Sequence, residues 1–231
     1  MRPKVTAAVL HRWRERLTDP LLTALTIMIA VIMFVLAPLQ ATGVVAVHNL
    51  AFAFGFVMIA TVFVVSGWLA VVPLLVSLAL IIVATVLRVR QPSSFDILLD
   101  ATAWLILGVT LIVVTARAVF AAGKVTYHRV IGAVLLYLMI GFVFVALFCF
   151  IALFEPNAFT GLGPLQDNLA VVGNFIYFSF VTLTTVGYGD IIPVHPVARG
   201  LANIEAIIGQ LYPATLLARL VTLEIEGRRD K

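Results

Sequence analysis

Between Pro20 and Leu87 the chain carries no Asp, Glu, Lys or Arg. One bilayer crossing needs roughly 20 predominantly apolar residues, so this uncharged run must hold several crossings. The whole chain agrees: 63% of its 231 residues are hydrophobic and 11% are charged, against about a quarter charged in soluble domains. The fold class this predicts is an all-α membrane protein, because a helix satisfies its own backbone hydrogen bonds in hydrocarbon.

Breaks in the apolar pattern divide the chain into six candidate crossings. They run from Pro20 to Leu39, Val44 to Val65, Trp68 to Leu87, Ile97 to Ala116, Val130 to Phe154 and Ala198 to Leu220. The break at Ser66-Gly67 separates the second from the third. The corresponding organisation is a basic N-terminal segment (1–19), a charge-poor four-helix region (20–116), a linker (117–129), a segment with two further crossings (130–222) and a short tail (223–231). The linker, "RAVFAAGKVTYHR", fits either a surface-lying helix or a plain connector.

The net charge of +4 would allow a nucleic-acid partner, but the basic residues are placed as membrane flanks. Arg2, Lys4, Arg12, Arg14 and Arg16 precede the first apolar run, and Arg228, Arg229 and Lys231 follow the last. Positive flanks mark the cytoplasmic side. Both termini are therefore expected to be cytoplasmic, in a plasma (inner) membrane, with 155–197 outside; Arg88 and Arg90 then lie outside, against the rule. No nucleic acid is expected as a partner; membrane lipids are. The single cysteine, Cys149, excludes an internal disulfide, and His11, His48, His128 and His195 are scattered without a nucleophile–base set or metal cluster, so no enzyme activity is expected.

Between the last two crossings lies a loop, "EPNAFTGLGPLQDN", then a short apolar segment, about Val171 to Leu183, then "TLTTVGYGD", Thr182 to Asp190. The apolar segment is too short to cross and suggests a re-entrant helix. Non-helical backbone at membrane depth is tolerated where protein buries it or where it lines a water-filled path. Gly187 and Gly189 alternate with Val186 and Tyr188. Glycine reaches positive φ at little steric cost, so alternation lets successive carbonyls face one way and line a path for a cation. Thr185 adds a hydroxyl at the inner end and Asp190 a negative charge at the outer mouth.

Thr185-Val186-Gly187-Tyr188-Gly189, extended by Thr184 and Asp190, resembles the selectivity-filter signature of the tetrameric K⁺ channels, and the order of span, loop, short helix, motif and span resembles their pore module over about Val130 to Leu220. The resemblance implies six transmembrane helices plus a re-entrant pore helix and selectivity filter, with four copies forming one tetrameric pore. The carbonyls of Thr185, Val186, Gly187 and Tyr188, with the Thr185 hydroxyl, would then ligate dehydrated K⁺, the permeant ion; no organic cofactor is implied. The C-terminal end of the short helix would favour a cation through its dipole. Tyr177 and Phe178 align with an aromatic pair that braces the filter in the family; Tyr177 retains a donor for Asp190, and Phe178 has none, so simple aromatic packing is the equal alternative for Phe178. Val181 stands where some relatives carry an acid behind the filter.

Gly209, nineteen residues past Asp190, matches the family's inner-helix hinge, and Pro213 would add a bend; a small-residue packing site is the equal alternative for Gly209. Glu205 and Gln210 are polar at membrane depth and so invite a functional reading. Leu217 or Val221, on one stripe with Ala214, is a candidate constriction. His195, near the outer mouth, is either a pH-sensitive group or a plain solvent-facing side chain.

A voltage sensor needs about 3–4 gating charges per subunit. The fourth candidate crossing has only Arg117, at its inner end, so little or no intrinsic voltage sensing is expected. The tail "VTLEIEGRRDK" is expected to be too short for a ligand-binding domain, so no ligand gate is expected; a leak-like channel, a lipid-tuned one and one gated by a separate regulatory subunit remain open. Two other classes remain open: a non-selective cation channel on the same fold, and a non-conducting scaffold or transporter subunit with a vestigial pore loop.

Overall fold

The computed structural model describes residues 20–36, 39, 68–90, 94–120, 127–162 and 168–229. Its helices are α1 (Pro20–Leu36, closing in a π-helical turn, Ile32–Leu36), α2 (Trp68–Arg90), α3 (Ser94–Val119), α4 (Tyr127–Phe154), α5 (Asn168–Leu183) and α6 (Pro196–Arg229). Two short strands, β1 (Phe159–Thr160) and β2 (Ile192–Pro193), flank α5 and pair antiparallel, Phe159 opposite Pro193 and Thr160 opposite Ile192. The expected crossing from Val44 to Val65, and the basic segment 1–19, lie outside the described residues.

Among the described residues, three stretches are long and apolar enough to cross a membrane: Ala70–Leu87, Leu98–Arg117 and Val130–Phe154. Hydroxyls within these helices are satisfied locally, as hydrocarbon requires: Thr85 donates to Ile81 O and Thr102 to Leu98 O, at 2.8 and 2.7 Å. The first expected crossing begins at Pro20 as read, and its described helix runs to Leu36.

Two helical regions extend past the expected crossings. Helix α4 starts at Tyr127 and α3 runs to Val119, so both ends of the 117–129 linker are helical. The last helix does not stop at Leu220 but continues to Arg229, absorbing most of the residues read as a tail. Leu223, Glu224, Ile225 and Glu226 are serviceable helix formers with no proline among them, and Arg228 and Arg229 favour the negative end of the helix dipole.

The contacts divide the chain into two compact units, Met1–Leu74 with Thr110–Leu136, and Leu75–Val109 with Tyr137–Lys231. In the first, Leu22, Leu25, Ile29 and Met33 form one buried stripe of α1 at helical spacing. Gly132 lets α4 approach Val119 and Leu22 there. In the second, an aromatic cluster joins α4, β1 and α5. Phe148 sits at its centre, with ring centroids 5.0 Å from Phe178, 5.8 Å from Phe159 and 6.4 Å from Phe175. Such pairs each add about 0.5–1.5 kcal/mol beyond the area they bury. This cluster holds α5 in place and is completed by Ile191, Ala198 and Ala202 from the other side of the motif.

Candidate functional site

The motif leaves the C-terminal end of α5, and the last carbonyls of that helix receive its amides. Thr184 N–H donates to Phe180 O at 3.0 Å and Thr185 N–H to Thr182 O at 2.9 Å. Val186 and Gly187 N–H both donate to Val181 O, at 2.9 and 3.3 Å. Helix C-termini leave such carbonyls without intrahelical donors, so the motif caps the helix as the helix anchors the motif. Val181, read from sequence as a position lacking a supporting acid, thus contributes through its main chain.

Positive φ recurs at every second residue: Thr185 at 59°, Gly187 at 57° and Gly189 at 78°. Alternating the sign of φ turns successive carbonyls to one side, whereas an extended strand alternates them. A Cβ at Gly187 or Gly189 would meet nothing within 4 Å, so the backbone conformation, not space, calls for glycine there. Thr185 has a side chain in the left-handed region, which costs about 1–2 kcal/mol. Its surroundings hold it: besides the amide bond to Thr182, its Oγ1 accepts from Gln210 Nε2 at 2.8 Å.

The segment that follows the motif is fixed by a second set of contacts. Val194 and His195 N–H donate to Ala158 O at 2.8 and 3.2 Å, continuing the β1–β2 pairing. Arg199 Nε donates to Pro193 O at 3.0 Å. His195 is half-buried and its Nδ1 accepts from Val197 N–H at 3.3 Å, capping α6, so it is not a plain solvent-facing side chain. Tyr177 stacks on Tyr188 with parallel rings 6.3 Å apart. Tyr188 itself is 70% exposed. Phe178 packs into the aromatic cluster and lines one cavity with Gly187, Gly189 and Asp190, so of its two readings the simple aromatic packing is the one the contacts show.

Behind the motif, α6 lies close against α5 through Ala198, Ala202, Glu205 and Gly209, all buried at helical spacing. A Cβ on Gly209 would fall 1.8 Å from Leu183 O and 2.7 Å from Leu183 C. Of the two sequence readings of Gly209, close packing is the one the contacts express; α6 is helical without interruption through both Gly209 and Pro213. Tyr137 O–H donates to the same Leu183 carbonyl at 3.3 Å and stacks on Tyr212 at 5.7 Å. Glu205 is fully buried, and Ser179 Oγ lies 2.5 Å from its Oε1 and 2.9 Å from Gly141 O. Glu205 Oε2 is buried with no hydrogen-bond partner. Pro213, Ala214 and Leu217 are exposed on α6, Leu217 by 64%; the side chain of Val221 lies outside the described residues. Among the described residues, no group of His, Cys, Asp and Glu could hold a metal ion.

Sequence reasoning named Glu205 and Gln210 as polar at depth without finding their partners. It passed over Ser179, Tyr137 and Phe148, whose roles depend on contacts between residues 11 to 46 positions apart.

Residues 132–225 match a family model described as ion channel. Two curated proteins are similar over shorter stretches. Protein LctB of Bacillus caldotenax is 39% identical over 56 residues, 24% of this chain and 41% of that protein. Protein LctB of Geobacillus stearothermophilus is 35% identical over 68 residues, 29% of this chain and 48% of that protein. The chain thus spans less than half the length of the curated relatives it matches. No solved structure matches the chain. The family match supports ion channel function, and with the apolar helices it supports an integral membrane protein.

Proposed function

We propose that the chain is one subunit of a K⁺-selective channel in which four copies surround an axis and conduct K⁺ passively. Thr185, Val186, Gly187 and Tyr188 face that axis with their carbonyls, and Thr185 adds its hydroxyl. K⁺ moves from site to site along these oxygens, which replace its hydration shell. The observation that carries the reading is the alternation of positive φ at Thr185, Gly187 and Gly189, anchored on the Val181 carbonyl. Six crossings per subunit, cytoplasmic termini and a plasma-membrane location complete the proposal. Little intrinsic voltage sensing is expected of the first four crossings, since Arg117 at the end of α3 is a positive-inside flank. Gating falls to lipids, to a separate regulatory subunit, or to the inner part of α6 near Leu217 and Val221.

The test is Rb⁺ uptake into liposomes containing the purified protein and loaded with K⁺. The proposal expects uptake that external K⁺ competes away and external Na⁺ does not. Equal competition by Na⁺ would favour a non-selective cation pore. A subunit count other than four by native mass spectrometry would contradict the assembly.

A further inference from the structure

Gln210 is the residue after Gly209, and the two have a joint geometry. Gly209 lacks the Cβ that would collide with Leu183, so the α6 backbone lies against the end of α5. That approach brings the next side chain to the start of the motif, where Gln210 Nε2 donates to Thr185 Oγ1 at 2.8 Å. The bond spans 25 positions in sequence. Gln210 is exposed on α6, and the contact is held by the close approach of the two backbones at Gly209 rather than by burial of the amide. A threonine hydroxyl has one proton and two acceptor lone pairs. The Gln210 amide takes one lone pair, fixes the side-chain torsion of Thr185, and leaves the other lone pair for a cation.

We propose that Gln210 is a positioning residue for ion coordination, holding the Thr185 hydroxyl so that α6 sets the cation affinity of the innermost site. This rests on the reading of 185–189 as a K⁺ filter. The side chain acts on the ion through Thr185 and does not itself touch it. Because Gln210 belongs to the same helix as Pro213 and Leu217, any displacement of α6 changes the hydroxyl before it changes the carbonyls of Val186 or Gly187.

The probe is Ba²⁺, a doubly charged ion of K⁺-like size, applied from the cytoplasmic side to channels in planar bilayers of phosphatidylethanolamine and phosphatidylglycerol. Gln210→Met keeps a long unbranched side chain and removes the donor. Loss of one hydrogen bond to the ligating hydroxyl corresponds to about a fivefold to tenfold weaker internal Ba²⁺ block. The same substitution in a Thr185→Ala background should add nothing, since the hydroxyl it acts through is gone. Gln210→Asn, which keeps the amide on a shorter stem, should also weaken the block and serves if the Met variant does not assemble. Unchanged block in both variants, or an equal shift with and without the Thr185 hydroxyl, overturns the proposal. A wild-type protein that passes current without K⁺ preference overturns the filter reading beneath it, which is a separate and distinguishable failure.

Discussion

Replacing Gly209 by Ala sets two well-understood effects against each other. In an isolated helix the change stabilises by about 1 kcal/mol, because alanine loses less backbone entropy. Here the added Cβ would lie 1.8 Å from Leu183 O, 2.7 Å from Leu183 C and 3.1 Å from Leu183 Cα. A carbon–oxygen contact tolerates about 3.3 Å, so the backbones must separate by about 1.5 Å along that line. The obstacle is main chain at the anchored end of α5, not a side chain that can turn away. Overpacking of this kind costs about 1–3 kcal/mol, and a backbone obstacle argues for the upper end. The net expectation for Gly209→Ala is a loss of about 2 kcal/mol. The assay is thermal unfolding of the purified protein in detergent, followed by Tm, with K⁺ flux measured on the same preparation. A lower Tm with impaired flux is expected, because Leu183 is followed directly by Thr184 and Thr185. A Tm at or above wild type would refute the packing argument and return Gly209 to the hinge role its spacing first suggested.

Phe148→Ala removes the ring at the centre of the aromatic cluster and should cost about 3–5 kcal/mol, read as a large fall in Tm or failure to assemble. Ser179→Ala takes the hydroxyl from between Gly141 O and Glu205 Oε1 and should cost about 1–3 kcal/mol, whereas Thr102→Ala, which loses only a bond within its own helix, should shift Tm little in the same melt. Ile192, two residues past Asp190 and exposed, stands where, in the K⁺ channels the motif resembles, an aromatic ring favours external tetraethylammonium. Block by that ion is expected to be weak in the wild type and stronger in Ile192→Tyr, and an unchanged block would argue against this placement of the outer mouth.

The long apolar helices were legible because hydrocarbon imposes a simple rule on composition. Trp68, Phe154 and Leu183 are helix ends that the sequence marked with glycine, proline or the motif itself. The motif's alternating glycines were legible too, since positive φ has few other tenants. Thr185 was not, because nothing in a threonine announces a left-handed backbone; its conformation is held by Thr182 O and Gln210, both found only by folding. Phe178 illustrates the converse. Its position allowed a brace or simple aromatic packing, and only the fold shows the packing, because the cluster around Phe148 joins residues from α4, β1 and α5 which no local pattern connects. The extension of α6 to Arg229 was missed because charge was read as a membrane boundary, and a helix does not have to end where the bilayer does.

The most direct test of the central claim is the reversal potential of the purified protein in a planar bilayer, with K⁺ on one side and Na⁺ on the other. The account predicts reversal close to the K⁺ equilibrium potential, since a dehydrated K⁺ fits a ladder of carbonyls held by Val181 and by the glycine alternation. A measurable current that reverses near zero would contradict it.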